Sequence, residues 1–293
     1  MDPSDASAVL AIAGAAEASD GVAPLDESMS LAVRRRPESV RAIVREAGFA
    51  LAYDGQLAVV VLPEDRGHGV GTALAAALLD GTGDGHLRAW MHGESPAARR
   101  LAARFGFTAG RELWVMRLDH QGGPTERTNR HSVPHGVALR GFAPGDEPEI
   151  LRVNAAAFSW HPEQGSMDLA DLHERMAEPW FEPAGLIEAW EGAALLGFHW
   201  TKRHPGTPDG RTHGEVYVVT VDPAAQGRGL GRLLTVAGLE HLSDCDEVHL
   251  YVESDNAAAV RLYGSLGFTH APADTHVMFH RPGGETDKQG RRS

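Results

Sequence analysis

Hydrophobic positions along the chain fall into short β-type runs and longer helical stripes, separated by proline and glycine. Val216, Val218, Val219 and Val221 make a dense β-branched run, which predicts a strand over residues 216–221 packed on both faces. Asp222-Pro223 breaks it, a glycine-rich stretch fills residues 226–231, and Leu233, Leu234, Val236 and Leu239 then form a helical stripe. Further on, residues 249–252 read as a strand. Ser254, Asp255 and Asn256 offer N-cap side chains, residues 257–266 read as a helix closed by Gly267, and Phe268 opens another strand. Residues 137–142 predict a strand, 147–158 a helix, and 195–202 a strand ending at Lys202, while Glu215 stands just ahead of the 216–221 strand. Near the start, residues 8–18 read as an alanine-rich helix with no clear strand before it. The basic stretch 34–45 reads as helical rather than as a hairpin, and Asp54-Gly55 as a turn.

Part of this pattern occurs twice. Residues 59–71 (VVVLPEDRGHGVG) align with 219–231 (VTVDPAAQGRGLG) without a gap: Pro63 answers Pro223, Arg66 answers Gln226, and Gly69 and Gly71 answer Gly229 and Gly231. Residues 100–107 likewise answer 261–268, with the offset changed by one residue. The 293 residues therefore divide into a first copy over 1–118, a polar Gly/Pro-containing linker over 119–136, a second copy over 137–281 and a polar, disordered tail over 282–293. The expected class is α/β (α+β): two tandem domains, each a mixed twisted sheet flanked by helices, the first copy shortened. The copies are unequal, since Glu215 is answered by Gly55, Asn256 by Ser95 and Tyr263 by Ala102.

A loop of small residues entering a helix points free backbone N–H groups at one spot, a geometry suited to a diphosphate. The loop has neither the Lys-Ser/Thr of a Walker loop nor the dinucleotide G-x-G-x-x-G spacing, and from its residues alone a plain glycine-rich turn stays open. Gln226-x-x-Gly229-x-Gly231, followed by a strand–Asn256–helix–Tyr263-x-x-x-Gly267-Phe268 segment, resembles the GCN5-related N-acetyltransferases (GNAT), in which these two segments wall the coenzyme A site. The resemblance implies acetyl-CoA contacts from Val219, Thr220, Val221, Gln226, Gly227, Arg228, Gly229, Leu230, Gly231, Arg232 and Asn256. It also implies a second acetyl-CoA site at Val59, Val60, Val61, Gly67, His68, Gly69, Val70, Gly71 and Thr72, although Gly67 and His68 stand where such loops are usually more basic. Glu215 would accept the amine proton directly or through a water. Tyr263 would protonate the leaving thiolate, and an exposed N–H on the 219–221 strand would stabilise the oxyanion.

A narrower resemblance, to the mycothiol synthases, rests on the phrases FSWHPEQG (158–165), GFHWTK (197–202), GEVYVVTVDP (214–223) and LYVESDNAAAVRLYGSLGF (250–268), with DGVAPL (20–25) near the start. That family acetylates the cysteinyl amine of cysteinyl-glucosaminyl-inositol. The carry-over implies acceptor contacts from Glu27, Glu163, Lys202, Glu215 and Tyr263. Carboxylates suit the acceptor's ammonium, and charged hydrogen-bonding groups suit its hydroxyls.

Composition narrows the alternatives. No run reaches the roughly 18 apolar residues of a membrane span, and residues 1–20 lack the basic start of a secretory signal. The lone Cys245 excludes an intramolecular disulfide and fits a reducing cytosol. A formal charge of −13 argues against nonspecific nucleic-acid binding. Sixteen histidines raise the question of zinc, but His131 and His135 lie in the linker without partner ligands, so no metal is expected. The expectation is a monomeric cytoplasmic enzyme using acetyl-CoA and a small-molecule amine. An acetyltransferase for a protein N-terminus, polyamine or antibiotic amine, and a non-catalytic acetyl-CoA sensor, are the competing readings.

Overall fold

The computed structural model describes residues 1–80, 85–119, 133–159, 164–204 and 210–283. Thirteen of the eighteen residues assigned to the linker, and the tail from 284 onward, lie outside the described residues. In chain order the first part contains α1 (Pro3–Asp20), α2 (Glu27–Arg35), β1 (Arg41–Arg45), β2 (Gly48–Tyr53), β3 (Gln56–Val61), α3 (Val70–Leu79), β4 (Leu87–Met91), α4 (Pro96–Arg104) and β5 (Thr108–Asp119). The second part contains β6 (Val137–Gly141), α5 (Glu147–Ala157), α6 (Leu169–Met176), β7 (Leu186–Glu191), β8 (Ala194–His204), β9 (His213–Val221), α7 (Leu230–His241), β10 (Glu247–Glu253), α8 (Ala257–Ser265) and β11 (Thr269–Arg281). Among the described residues no helix is long and apolar enough to cross a membrane.

Two compact units emerge: Met1–Trp114 together with Ala271–Ser293, and Val115–His270. Chain order does not wholly decide membership, because β11 runs antiparallel to β4 from Val277–Met91 to Arg281–Leu87 and so completes the first unit's sheet. That sheet has the order β1-β2-β3-β4-β11. One face buries Phe49 and Leu51 against Val9, Ile12, Ala16, Met29 and Val33 of α1 and α2, and the other buries Ala50 against Leu74 and Leu78 of α3. The alternation of two along β2 thus serves both layers.

Residues 34–45 correct the helical expectation. α2 stops at Arg35, Pro37 opens a short 3₁₀ turn, and β1 pairs antiparallel with β2 as a hairpin. β-branched Ile43 and Val44 drive this, since Ile43 packs on one apolar cluster and Val44 on the other while Arg41 and Arg45 stay exposed. Period two had been hidden by the arginines at either end.

The second unit's sheet has the order β5-β10-β9-β8-β7-β6. Ile150, Val153 and Leu172 of α5 and α6 cover one face with Phe198 and Trp200, while Leu233 and Leu234 of α7 cover the other with Ile187, Ala189 and Leu196. β9 and β10 are parallel, joined through α7, as β3 and β4 are joined through α3 in the first unit. The first unit opens on helices and has no counterpart of β6 before α1 among the described residues.

Candidate active site

The glycine loop takes the same path in both copies. A single 3₁₀ turn (Pro63–Asp65; Pro223–Ala225) follows the strand, and two left-handed glycines then lead into the helix. Their φ values are +81° and +86° at Gly67 and Gly69, and +80° and +78° at Gly227 and Gly229. Side chains resist that conformation, so glycine at these positions fixes the turn into the helix. The first helical bonds run from Ala73 N–H to Gly69 O and from Leu233 N–H to Gly229 O, each 3.1 Å. The amides just ahead of them, Leu230, Gly231 and Arg232 in the second copy, are the donors that every helix start leaves for a ligand.

Strand pairing opens a gap beside each loop. The β9–β10 register runs from His213–Glu247 only as far as Val216–Leu250, so residues 217–221 have no β10 partner in that ladder. The β3–β4 register is shorter still, Gln56–Arg88 and Leu57–Ala89. On the other side of β9 the register shifts between Trp200–Val218 and Thr201–Val216, which leaves Tyr217 as the extra residue of a bulge. Val219, Thr220 and Val221 pair with His199, Phe198 and Gly197 of β8 on one side and lack a β10 partner on the other.

The second unit sets a carboxylate, a lysine and a histidine side by side next to its splay. Glu215 lies within β9 rather than ahead of it, and Lys202 lies two residues before the end of β8. The register puts Lys202 opposite Glu215 on one side and His249 opposite it on the other, so the three form a row across β8, β9 and β10. The Glu215 carboxylate is 9% exposed, and its Oε2 accepts a hydrogen bond from His204 Nε2 at 2.7 Å. His249 Nε2 stands 3.8 Å from the same oxygen. Burial pushes the carboxyl pKa up, but the His204 hydrogen bond and the Lys202 charge outweigh it and bring the group down to about 2. Glu215 is therefore ionised at neutral pH. Burial lowers His249 to about 4, leaving that ring neutral. Lys202 Nζ sits over the rings of Trp180 (4.7 Å) and Tyr217 (5.2 Å), so an aromatic wall holds its charge next to the carboxylate.

Tyr263 lies on α8, buried against Phe268 with ring centroids 5.8 Å apart, and burial raises its phenol to about 12. It is a neutral hydroxyl at neutral pH. Asn256 Oδ1 caps α8 by accepting from Ala259 N–H (3.1 Å), and Ser95 Oγ caps α4 in the same way through Ala98 N–H (3.2 Å). The two arginines of the loop are already engaged: Arg228 forms a bidentate pair with Glu191 (2.7 and 3.3 Å), and Arg232 donates to Ser265 Oγ (2.7 Å). Glu27 lies in the first turn of α2, half-buried, in the first unit. Glu163 lies outside the described residues. Cys245 is buried and its thiol pKa is raised by that burial, as suits a packing residue.

Three residues escaped sequence reasoning. His204 and His249 belong to the Glu215 cluster, and Tyr251, 41% exposed, meets the His249 ring edge-on at 5.7 Å. The available signal was alternation: His204 follows Lys202 by two positions and Tyr251 follows His249 by two, so each pair shares a strand face. Which strands are neighbours, and in what register, had to be known first.

The chain resembles known proteins along almost its whole length. The acetyltransferase (GNAT) family profile matches residues 152–268. Mycothiol acetyltransferase of a Nocardioides species is 53% identical, with 94% of this chain and 97% of that protein covered. The mycothiol acetyltransferase of Thermobispora bispora is 49% identical over 95% and 97%. Among solved structures, a tandem GNAT protein from the clavulanic acid pathway superposes with a TM-score of 0.70 at 20% identity, covering 98% of this chain and 97% of its own. A GCN5-related N-acetyltransferase from Sphaerobacter thermophilus gives 0.67 at 21% identity, covering 96% and 93%. At such identities the structures share the fold, in agreement with a duplicated α/β architecture. With a relative more than half identical over almost its full length, the chain belongs to the mycothiol acetyltransferase family, and it is an acyltransferase of the GNAT class.

Proposed function

We propose that this protein transfers the acetyl group of acetyl-CoA to the cysteinyl amine of 1D-myo-inositol 2-(L-cysteinylamino)-2-deoxy-α-D-glucopyranoside, giving mycothiol and CoA by direct transfer in a ternary complex. The observation that carries this reading is the row Lys202–Glu215–His249, set beside a splayed strand and a phosphate-type loop in the same unit. The first copy has loop and splay but Gly55 and Ala102 where the second has Glu215 and Tyr263. It is a binding half, and chemistry belongs to the second copy.

The amides of the 226–232 loop hold the pyrophosphate at the positive end of α7. The thioester carbonyl lies along the unpaired edge of residues 219–221, where one backbone N–H donating to the developing oxyanion lowers the barrier by roughly 3 kcal/mol. Ionised Glu215 attracts the acceptor's ammonium and takes its proton through a water. The hydrogen-bonded His204 gives that proton an exit toward solvent, since its side chain is 32% exposed. The amine then attacks the carbonyl carbon and a C–N bond forms; as the C–S bond breaks the thiolate takes a proton from Tyr263, and the surplus proton of the new C–N nitrogen restores the tyrosine hydroxyl. The balance is one ammonium and one thioester in, one amide, one thiol and one proton out. Lys202 contacts the acceptor's polar groups.

Purified protein, acetyl-CoA and a panel of amines test this through release of CoA thiol. Turnover with the cysteinyl-glucosaminyl-inositol acceptor, far above that with polyamines, aminoglycosides or peptide N-termini, is expected. Tight acetyl-CoA binding with no turnover on any amine would establish the sensor reading instead.

A further inference from the structure

We infer that His204, Glu215 and His249 form a three-ligand site for a divalent transition ion of the zinc class, and that such an ion competes with the acceptor's ammonium for Glu215. One donor atom from each residue lies within 4.8 Å of the other two. The ring nitrogens of His204 and His249 stand 2.7 and 3.8 Å from the same Glu215 oxygen. Metal–ligand bonds of about 2.0–2.1 Å in tetrahedral array place ligand atoms roughly 3.4 Å apart, so the observed separations bracket the requirement. Only small side-chain rotations are needed, and the backbone is already fixed because the ligands come from three adjacent strands in set register.

The donor set selects the class of ion. Two imidazoles and one carboxylate suit zinc, cobalt or nickel, whereas magnesium and calcium prefer all-oxygen cages. His249 is the residue most changed by occupancy. Its side chain is 12% exposed, its Nδ1 is buried without a hydrogen-bond partner, and its Nε2 is too far from Glu215 for a hydrogen bond. A cation between Nε2 and the carboxylate spans that 3.8 Å gap, while Nδ1 on the far side of the ring is not a ligand in this arrangement. Lys202 acts against the cation, because its charge also acts on Glu215, and this bounds affinity from above. The fourth position is open to water or to the acceptor.

The effect on turnover rests on the function proposed above. The acceptor carries a thiol beside its amine, and a zinc-class ion binds both, tying up the lone pair that must attack the thioester. Occupancy therefore inhibits.

Binding is read without any substrate, which separates it from the activity. Full-length protein stripped with a chelator is titrated with cobalt(II), following the visible d–d bands, and with zinc by equilibrium dialysis. One ion per chain is expected. His204→Ala and His249→Ala should each weaken binding at least tenfold, while His241→Ala, which removes the separate His241–Glu182 pair, should leave it unchanged. Should either ligand variant misfold, nitrogen-15 imidazole spectra of the unaltered protein serve instead, with zinc shifting Nε2 of both histidines. Absence of tetrahedral cobalt bands, or unchanged stoichiometry and affinity in both ligand variants, overturns the site. In the transfer assay, zinc inhibition competitive with the acceptor supports the stated competition, and inhibition competitive with acetyl-CoA alone refutes it.

Discussion

The 2.7 Å hydrogen bond between His204 Nε2 and Glu215 Oε2 ties the end of β8 to the start of β9 where Lys202 and Glu215 are paired in register. A buried carboxylate is stable there only because it has this donor and a neighbouring cation. Glu215→Gln keeps size and hydrogen bonding but removes the charge that draws in the ammonium and takes its proton. Its kcat is expected to fall by about 10²–10⁴-fold with acetyl-CoA affinity nearly unchanged. Steady-state kinetics with calorimetric acetyl-CoA binding check this, and a loss confined to acetyl-CoA affinity would reassign Glu215.

Tyr263→Phe isolates a hydroxyl. The ring keeps its packing against Phe268, so the melting temperature should move by no more than a degree or two. A role in protonating the thiolate predicts a kcat loss of about 10²-fold with KM little changed. Rates within twofold of the unaltered enzyme would leave Tyr263 as packing alone.

Matched valine substitutions separate the two glycine loops. Gly69 and Gly229 both sit at φ near +80°, and a Cβ built at either meets no atom within 4 Å. Any cost in the free protein is therefore backbone strain, of similar size in both copies, about 1–3 kcal/mol. Gly229→Val should abolish turnover, because its loop serves the copy that holds Glu215 and Tyr263. Gly69→Val should retain turnover within a few fold. Equal losses in kcat would show that the copies are coupled.

What the sequence disclosed follows from distance along the chain. The Val216–Val221 run, the loop and the Asn256-capped helix are local patterns, and the duplication at 59–71 needed only self-comparison. The strand at 41–45 was obscured because arginines bracket Ala42, Ile43 and Val44. His204 and His249 were invisible for another reason: 45 residues separate them, and they meet at Glu215 only through the order β8-β9-β10. The place of β11 beside β4 was hidden likewise, since a strand's partner is not encoded in its own alternation.

Two glycines in the second unit should respond oppositely to alanine. A Cβ on Gly238 of α7 runs into the His199 ring, which is fully buried and held by a 2.8 Å contact between its Nδ1 and Leu234 O. The close approach of α7 to β8 depends on that missing methyl group. Gly238→Ala should destabilise by about 1–3 kcal/mol. Gly264 in α8 has no atom within 4 Å of a built Cβ, so Gly264→Ala should stabilise by about 0.5–1 kcal/mol through helix propensity. Urea denaturation of both variants reads the signs, and a like sign for the pair would contradict the packing described.

Glu188 on β7 should make stability fall as pH rises. Its side chain is fully buried; Oε2 accepts from Trp190 Nε1 (2.7 Å) and pairs with Arg140 (2.9 Å), while Oε1 has no partner among the described residues. Burial is the main cause that raises this carboxyl from 4.5 to about 7, and neighbouring Asp146 adds to the rise. The folded state thus holds a proton that the unfolded state releases between pH 4.5 and 7. The contribution is fully present below pH 4.5, declines through that window and is gone above 7, amounting to at most about 3 kcal/mol. Buried His92 and His199, held near 4, act in the opposite direction over nearly the same range, so the readout is the difference between Glu188→Gln and the unaltered protein. Glutamine keeps the Trp190 acceptor and cannot ionise. The variant should gain stability relative to the unaltered protein from pH 5 to 8, measured by urea midpoints at each pH, and a difference independent of pH would mean that Glu188 is ionised throughout.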